Sequence, residues 1–436
     1  MTVAILFVVL ANNKMDYMTP TVLFIAPLTV SIMFAMLYSE EWEVNLCFET
    51  FSLLLLGFIS FFIGEMIGKS LAGKKVHSVI ARDVFGGTEG QGVNLSIKKR
   101  KYVLMICYEI ISFIIYYRAI VSVVSTSGKL YVLFDSTYAK TAVSNVGFGV
   151  STIYKVAIVF AYICLLHLSY NILRKSGTKI SYLCDIVVIS IYLFSILITG
   201  SRGDIINFSV SMVFMFYIIF CKFHGWKTST IGKTVKKVIP AVILIVLVFY
   251  ILKNIVNKSG QHDINLLNMI SSYMGAQIDL LDRLVKGDIQ MPQYPLFGYE
   301  SFYNLYQFFG KAGLIRNMTS ITFKYKAYNM IGCNVYTFFR RPYVDFGFGG
   351  CLIMTMLCGG VFGYLYYKMI KNRYITKESL LSLLIYSFFI NKVFMAFFDD
   401  YISFQVSVNA AIMIVLFRIL YKYIFGKTIN HSRKMI

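Results

Sequence analysis

Charge is what this 436-residue chain has least of. Asp, Glu, Lys and Arg make up 14% of it, against about 25% in a soluble globular protein. With 58% apolar residues and a mean hydropathy of +0.68, a soluble globule with one core is excluded, and the repeated long apolar runs read as a polytopic membrane protein. The runs lack the alternation of barrel strands, so helices are left as the spanning element. No CxxC pair occurs among the eight cysteines, most of which lie in apolar runs. They read as small apolar residues, not as a disulfide framework or a metal site, and no metal or cofactor is expected. Neither zinc spacing nor a nucleic-acid motif accompanies the net charge of +21, so nucleic acid is not an expected partner. No basic segment precedes the first apolar stretch, Thr2–Ala11, whose first following charge is Lys14. That stretch reads as a short first span and not as a cleaved signal. There is no low-complexity tract and no clear internal repeat.

What is present is a series of eleven apolar runs, at 2–11, 21–38, 47–67, 102–124, 149–170, 182–199, 205–221, 238–252, 346–367, 378–398 and 403–421. Several fall short of the ~20 residues that cross a bilayer, so interfacial flanks must complete them. The expected fold is all-α, a polytopic membrane protein with about 11 transmembrane helices. Residues 1–253 would hold eight of them, 254–345 would form one large loop, and 346–436 would hold the last three with a basic tail. The loops alternate in charge. Residues 68–101 carry eight Lys or Arg, 171–181 three, 222–237 five and 368–377 four. The intervening 39–46, 125–148, 200–204 and 399–402 carry few or none. Basic loops face the cytoplasm, which puts the N-terminus and the 254–345 loop outside and the C-terminus in the cytoplasm. Within that loop, Leu266, Ile270, Tyr273, Leu281, Leu284 and Val285 recur at helical spacing, so 266–286 is expected to be an amphipathic helix that lies along the membrane or roofs a cavity.

The outer side collects arginines: Arg202 in a Thr-Gly-Ser-Arg-Gly-Asp hairpin, Arg283 on the expected helix, Arg340 and Arg341 before the ninth run, and Arg118 toward the outer end of the fourth. A guanidinium fork matches phosphate oxygens bidentately, and fixed cations stabilise a departing diphosphate. Each has a plainer reading. Arg118 can snorkel or pair with a carboxylate, Arg340 and Arg341 can anchor at the interface, and Arg283 has Asp279 and Asp282 beside it on its helix. Glycosyl transfer also needs a proton acceptor. Candidates on the outer side are His262, Glu300, Asp345 and the Asp399–Asp400 pair. Asp345 serves equally well as the cap of a helix starting at Phe346, with Gly347, Gly349 and Gly350 allowing close packing. Between Tyr294 and Phe346 the chain is crowded with Tyr and Phe. Such aromatics stack on sugars or form an interfacial belt; Tyr303, Asn304, Tyr336 and Thr337 are the candidates for sugar contact.

Three stretches taken in order, Ile-Thr-Gly-Ser-Arg-Gly-Asp ending at Asp204, Asn-Val-Tyr-Thr-Phe-Phe from Asn334, and Asp-Phe-Gly-Phe-Gly-Gly from Asp345, together with Met18-Thr19-Pro20, resemble the O-antigen polymerase family, the Wzy-type oligosaccharide repeat-unit polymerases. The resemblance covers nearly the whole chain in span layout, and at residue level only these stretches. It implies a helical glycosyltransferase of the bacterial plasma (inner) membrane, related to the GT-C superclass, inverting and metal-independent. Such an enzyme joins undecaprenyl-diphosphate-linked oligosaccharide repeat units into O-antigen or capsular polysaccharide at the outer leaflet. It implies membrane lipids, a chain-length regulator and a flippase as partners. On this chain the Arg202 motif would hold a diphosphate, and Asn334, Tyr336, Thr337, Arg340 and Asp345 would line the same cavity. The arginine–ten residues–glycine pair of some members is absent, since Val213 and Tyr294 stand where the glycines would follow Arg202 and Arg283. An O-antigen ligase shares the layout but carries a histidine among the arginines of its outer loop. A flippase would show repeat symmetry and broken spans.

Overall fold

The computed structural model describes residues 2–73, 93–124, 147–198, 202–224, 226, 266–291, 294–316, 326–328 and 331–426. The eighth expected span, 238–252, lies outside them. The helices, in chain order, are α1 (Thr2–Asn12), α2 (Pro20–Leu37), α3 (Ser39–Trp42), α4 (Phe48–Leu71), α5 (Lys99–Val124), α6 (Phe148–Arg174), α7 (Lys179–Ile198), α8 (Arg202–Phe223), α9 (Leu266–Lys286), α10 (Tyr303–Lys311), α11 (Arg340–Leu365), α12 (Lys377–Phe394) and α13 (Val408–Phe425). A π-helical turn, Tyr366–Lys371, continues α11, and β1 (Lys326–Tyr328) pairs antiparallel with β2 (Ile331–Cys333). Among the described residues nine helices are long and apolar enough to cross a membrane, and α1 is a shorter apolar helix. The chain is an all-α polytopic membrane protein.

It divides into two compact units. The first comprises Met1–Val79, Ile206–Arg373 and Tyr386–Ala411; the second comprises Ile80–Ile205, Tyr374–Ile385 and Ile412–Ile436. In the first unit α4 and α11 are in backbone contact. A Cβ on Gly64 would meet the backbone of Met356, one on Gly68 that of Gly360, and one on Gly359 that of Phe61. With no side chain between them the helices gain dispersion contact that apolar burial alone does not supply in lipid. Phe24 of α2 stacks on Phe61 at 4.3 Å, and Phe338 and Phe339 meet Phe24 edge-on. Of the three expected packing glycines, Gly350 is tightly packed, against Phe346, and the other two are not. Gly347 and Gly349 have open space around them, and Gly347, at φ 66° and ψ −168°, breaks α11, which already starts at Arg340 and not at Phe346.

The helix α9 occupies the stretch expected, and its polar face is largely buried. It packs on α2, with Gly275 against the backbone at Phe34 and Ala35, and is buried over most of its length. Its acids are inside because they have work there. Asp279 accepts from Arg283 at 2.9 Å, from Lys326 at 3.0 Å and from the Tyr328 hydroxyl, which holds the β-hairpin. Asp282 accepts from the Cys47 amide at 2.9 Å, where α4 begins, and pairs with Lys286 at 2.7 Å.

At the other end of this unit the α1–α2 turn is locked by two buried carboxylates. Asp16 accepts from Tyr217 at 3.2 Å, from Tyr366 at 2.8 Å and from Lys371. Glu65 accepts from the Thr21 amide at 2.6 Å, from Tyr367 at 3.0 Å and from Asn13 at 3.2 Å. The π-helical turn is what turns Tyr366, Tyr367 and Lys371 toward these acids.

Candidate functional site

Polar chemistry in the first unit concentrates where the start of α11, the turn before α10 and the segment 395–405 meet. Phe338 donates its amide to the Ala396 carbonyl at 2.7 Å, and Thr337, at φ 70°, forms an isolated bridge with Asp399. These contacts drive Arg340 and Arg341 inward, and both side chains are completely buried. Arg340 donates to Glu300 Oε2 at 3.4 Å and lies over the Tyr336 ring at 5.0 Å. Arg341 donates to the Glu300 carbonyl at 3.1 Å, stands 3.7 Å from its carboxylate and lies over the Phe404 ring at 4.0 Å. Cations in the first turn of a helix oppose its dipole. Glu300 compensates, and it too is fully buried.

The supply of hydrogen-bonding atoms exceeds what the protein itself uses. Arg341 Nε and Nη2, Glu300 Oε1, Asp400 Oδ2 and the Ser301 hydroxyl are buried with no protein partner. Buried polar atoms are normally paired, and a cluster that is not points to a bound species. Asp400 is held by its acceptance from the Ser403 amide at 3.0 Å. Burial first, opposed by Arg341, pushes its carboxyl up from 3.8 to about 7. Burial likewise raises Glu300, with Arg340 and Arg341 pulling the other way.

Asp345 accepts from the Glu300 amide at 3.0 Å and the Ser301 amide at 2.7 Å. It therefore caps the turn that carries Glu300 and not a helix starting at Phe346. Tyr303 receives the Gln307 amide at 2.9 Å, and Asn304 donates to the Phe404 carbonyl at 3.1 Å, tying α10 to the same centre. The structure thus brings together Glu300, Tyr303, Tyr336, Thr337, Arg340, Arg341 and Asp345. Asn334 is exposed beyond β2, and Arg283 is engaged with Asp279. Arg118 belongs to the second unit and is exposed. Arg202 starts α8; its side chain, and all of His262, lie outside the described residues. An open recess lined by Glu41, Trp42, Glu43, Lys326, Ala327 and Tyr328 borders the cluster of Trp42, Leu280, Tyr328 and Tyr336 on which Arg340 rests.

Sequence reasoning weighed Asp400 only as half of an acidic pair and missed that it is a fully buried carboxyl with an unpaired oxygen. A Ser three residues on, able to give its amide to the Asp, was the local signal. An all-helical polytopic membrane protein with buried, paired cations at one end of a helical unit is the class defined here. No family model, no curated protein and no solved structure matches the chain.

Proposed function

We propose that the chain is a membrane glycosyltransferase that polymerises undecaprenyl-diphosphate-linked oligosaccharide repeat units at the outer leaflet of the bacterial plasma membrane. The observation that carries this reading is the Arg340–Arg341 pair, completely buried beside Glu300, with Arg341 donors left over. Glu300 holds the place of an anion, and a substrate diphosphate offers the guanidiniums stronger acceptors. In the transfer, the bond from the donor sugar's anomeric carbon to the phosphate oxygen breaks, and the bond to the acceptor hydroxyl oxygen forms. The hydroxyl proton passes to a carboxylate, and undecaprenyl diphosphate leaves with the electron pair. Arg340 and Arg341 stabilise the charge that develops on it. Asp400 suits the acceptor of the proton, because its carboxyl is pushed up to about 7 and one oxygen has no partner; a base works best near the ambient pH. The recess with Glu41, Glu43 and Lys326 supplies carboxylate and ammonium partners of the kind sugar hydroxyls use.

The test is deletion of the gene, complementation and electrophoresis of the surface polysaccharide. Arg341→Ala is expected to insert into the membrane normally and to lower polymerisation by about 100- to 1,000-fold, the usual effect of removing one charge-stabilising donor. Single repeat units would then replace the ladder. Arg341→Lys should rescue poorly, since an ammonium cannot reproduce the planar fork. A normal ladder from inserted Arg341→Ala would sink the reading. In the deletion strain, long chains stranded on the carrier would mean a ligase, and units trapped inside would mean a flippase.

A further inference from the structure

The second unit holds an ionisable group that the proposed transfer does not use. Along α5 the buried positions are Tyr102, Met105, Glu109, Ser112, Tyr116 and Ile120, while Val103, Leu104, Ile110, Ile111 and Ile114 face outward. This helix therefore carries its polar stripe inward, against α6 and α7. Glu109 stands mid-span at 1% exposure, and neither of its carboxylate oxygens nor the Ser112 hydroxyl one turn on has a partner. Among the described residues, the titratable groups within electrostatic reach of Glu109 are Cys164 and Tyr154 of α6 and Tyr192 of α7, with Tyr108 beside it on α5. None is a cation. A structural carboxylate would have a donor, and an apolar side chain would fill the place at no polar cost.

On both sides of Glu109 the buried stripe continues in groups that carry exchangeable protons. Toward the basic end of α5, the Cys164 thiol is within electrostatic reach of Asp185. Asp185 accepts from Tyr102 at 3.0 Å and meets His167 Nδ1 at 2.6 Å. Asn171 donates to the Leu95 carbonyl at 3.1 Å and meets His167 Nε2 at 2.8 Å, while its oxygen accepts from Ser176 at 2.8 Å. That fixes the amide and leaves the imidazole proton on Nδ1, pointing at Asp185. Toward the other end, Tyr116 stacks on Tyr154 at 4.2 Å, Tyr192 follows at 6.3 Å, and the exposed Asp204 is in electrostatic reach of all three. Tyr102 and Tyr116 each stand about 10 Å along the axis from Glu109, so the line extends across much of a bilayer.

We propose that Glu109 binds and exchanges a proton at the centre of this unit, fed by the line of hydroxyl, thiol, imidazole and carboxyl groups that flanks it. One carboxylate and one hydroxyl are too few oxygens to replace the shell of a metal cation. The group holds a proton because an unpaired carboxylate in hydrocarbon is costly. The assignment does not depend on the glycosyltransferase reading.

Infrared spectroscopy of the full-length protein in lipid bilayers tests it. Wild type should show a protonated-carboxyl stretch that Glu109→Gln lacks, and the band should shift in D2O. Asp185→Asn and Tyr102→Phe, checked for folding by size exclusion and circular dichroism, should slow that shift by about tenfold or more, as loss of a proton-transfer group does. Absence of a Glu109-dependent band would overturn the proposal. So would a band that never shifts in D2O, or one whose shift is equally fast in whichever of the two variants folds.

Discussion

At the scale of single residues, Asp400 makes the sharpest claim. Its carboxyl is raised from 3.8 to about 7, by burial above all. Between those values the folded protein keeps a proton that the unfolded chain has released. Its contribution to stability is therefore fully present below about pH 4 and is lost as pH rises through about 7. At about 1.4 kcal/mol per unit the shift corresponds to about 4 kcal/mol. In detergent, the thermal midpoint should fall between about pH 5 and pH 8, and Asp400→Asn should flatten that fall. An equal fall in the variant would assign the slope to other groups. Glu300 is the complementary case. Removing one partner of a buried ion pair leaves the other charge uncompensated, so Glu300→Gln should destabilise by about 3–5 kcal/mol, read as a lowered midpoint at neutral pH. A midpoint within a degree of wild type would mean that the arginines take their counter-charge elsewhere. The arginines themselves were legible as charges set before an apolar run. Their partner was not, because Glu300 lies some forty residues upstream in a loop, where no period ties one residue to another. Glu109 and Asp185 were legible in principle as acids inside apolar runs, the clearest mark of function in a span.

At the scale of elements, the α4–α11 seam decides whether the first unit assembles. Gly64→Ala sets a Cβ into the Met356 backbone, which cannot swing aside as a side chain would. Overpacking of this kind costs about 1–3 kcal/mol. Gly349→Ala, where the space is open, is the matched control and should leave the midpoint nearly unchanged. Similar effects at both positions would sink the claim that backbone contact holds the pair. The seam was readable: Gly64 and Gly68 on one helix, and Gly359 and Gly363 on the other, are small residues four apart. The glycines next to the Asp345 motif drew the reading instead, and there the physics is different, since Gly347 breaks the helix and does not close an interface. The bounds of α9 were legible from its apolar spacing. Its burial was not, because an amphipathic period cannot tell a face turned to solvent from one turned to a buried ion pair.

At the scale of the molecule, the alternation of loop charge makes a demand that contacts within each unit can meet or fail. All loops assigned to one side must gather at one end. In the first unit Lys222 donates to the Arg373 carbonyl at 2.6 Å, and Lys371 reaches Asp16, so the loops after α8 and α11 join the α1–α2 turn. The loops of the opposite assignment meet one another away from that turn, through Cys47 with Asp282 and Thr337 with Asp399. In the second unit Lys101 donates to the Ile424 carbonyl at 3.0 Å, Lys377 to that of Phe425 at 2.7 Å, and Arg174 to that of Val93 at 2.8 Å. Four basic segments far apart in sequence therefore fall together, three of them with lysine or arginine capping backbone carbonyls. Partition of this kind leaves only which end faces the cytoplasm, and the positive-inside rule predicts that the basic ends do. In a cysteine-free background, a single cysteine at Gly313 should react with an impermeant maleimide in intact cells, and one at Ser176 only after permeabilisation. The reverse pattern would invert the whole molecule and place Arg340, Arg341 and Asp400 at the cytoplasmic leaflet. Labelling of both from outside would break the alternation itself.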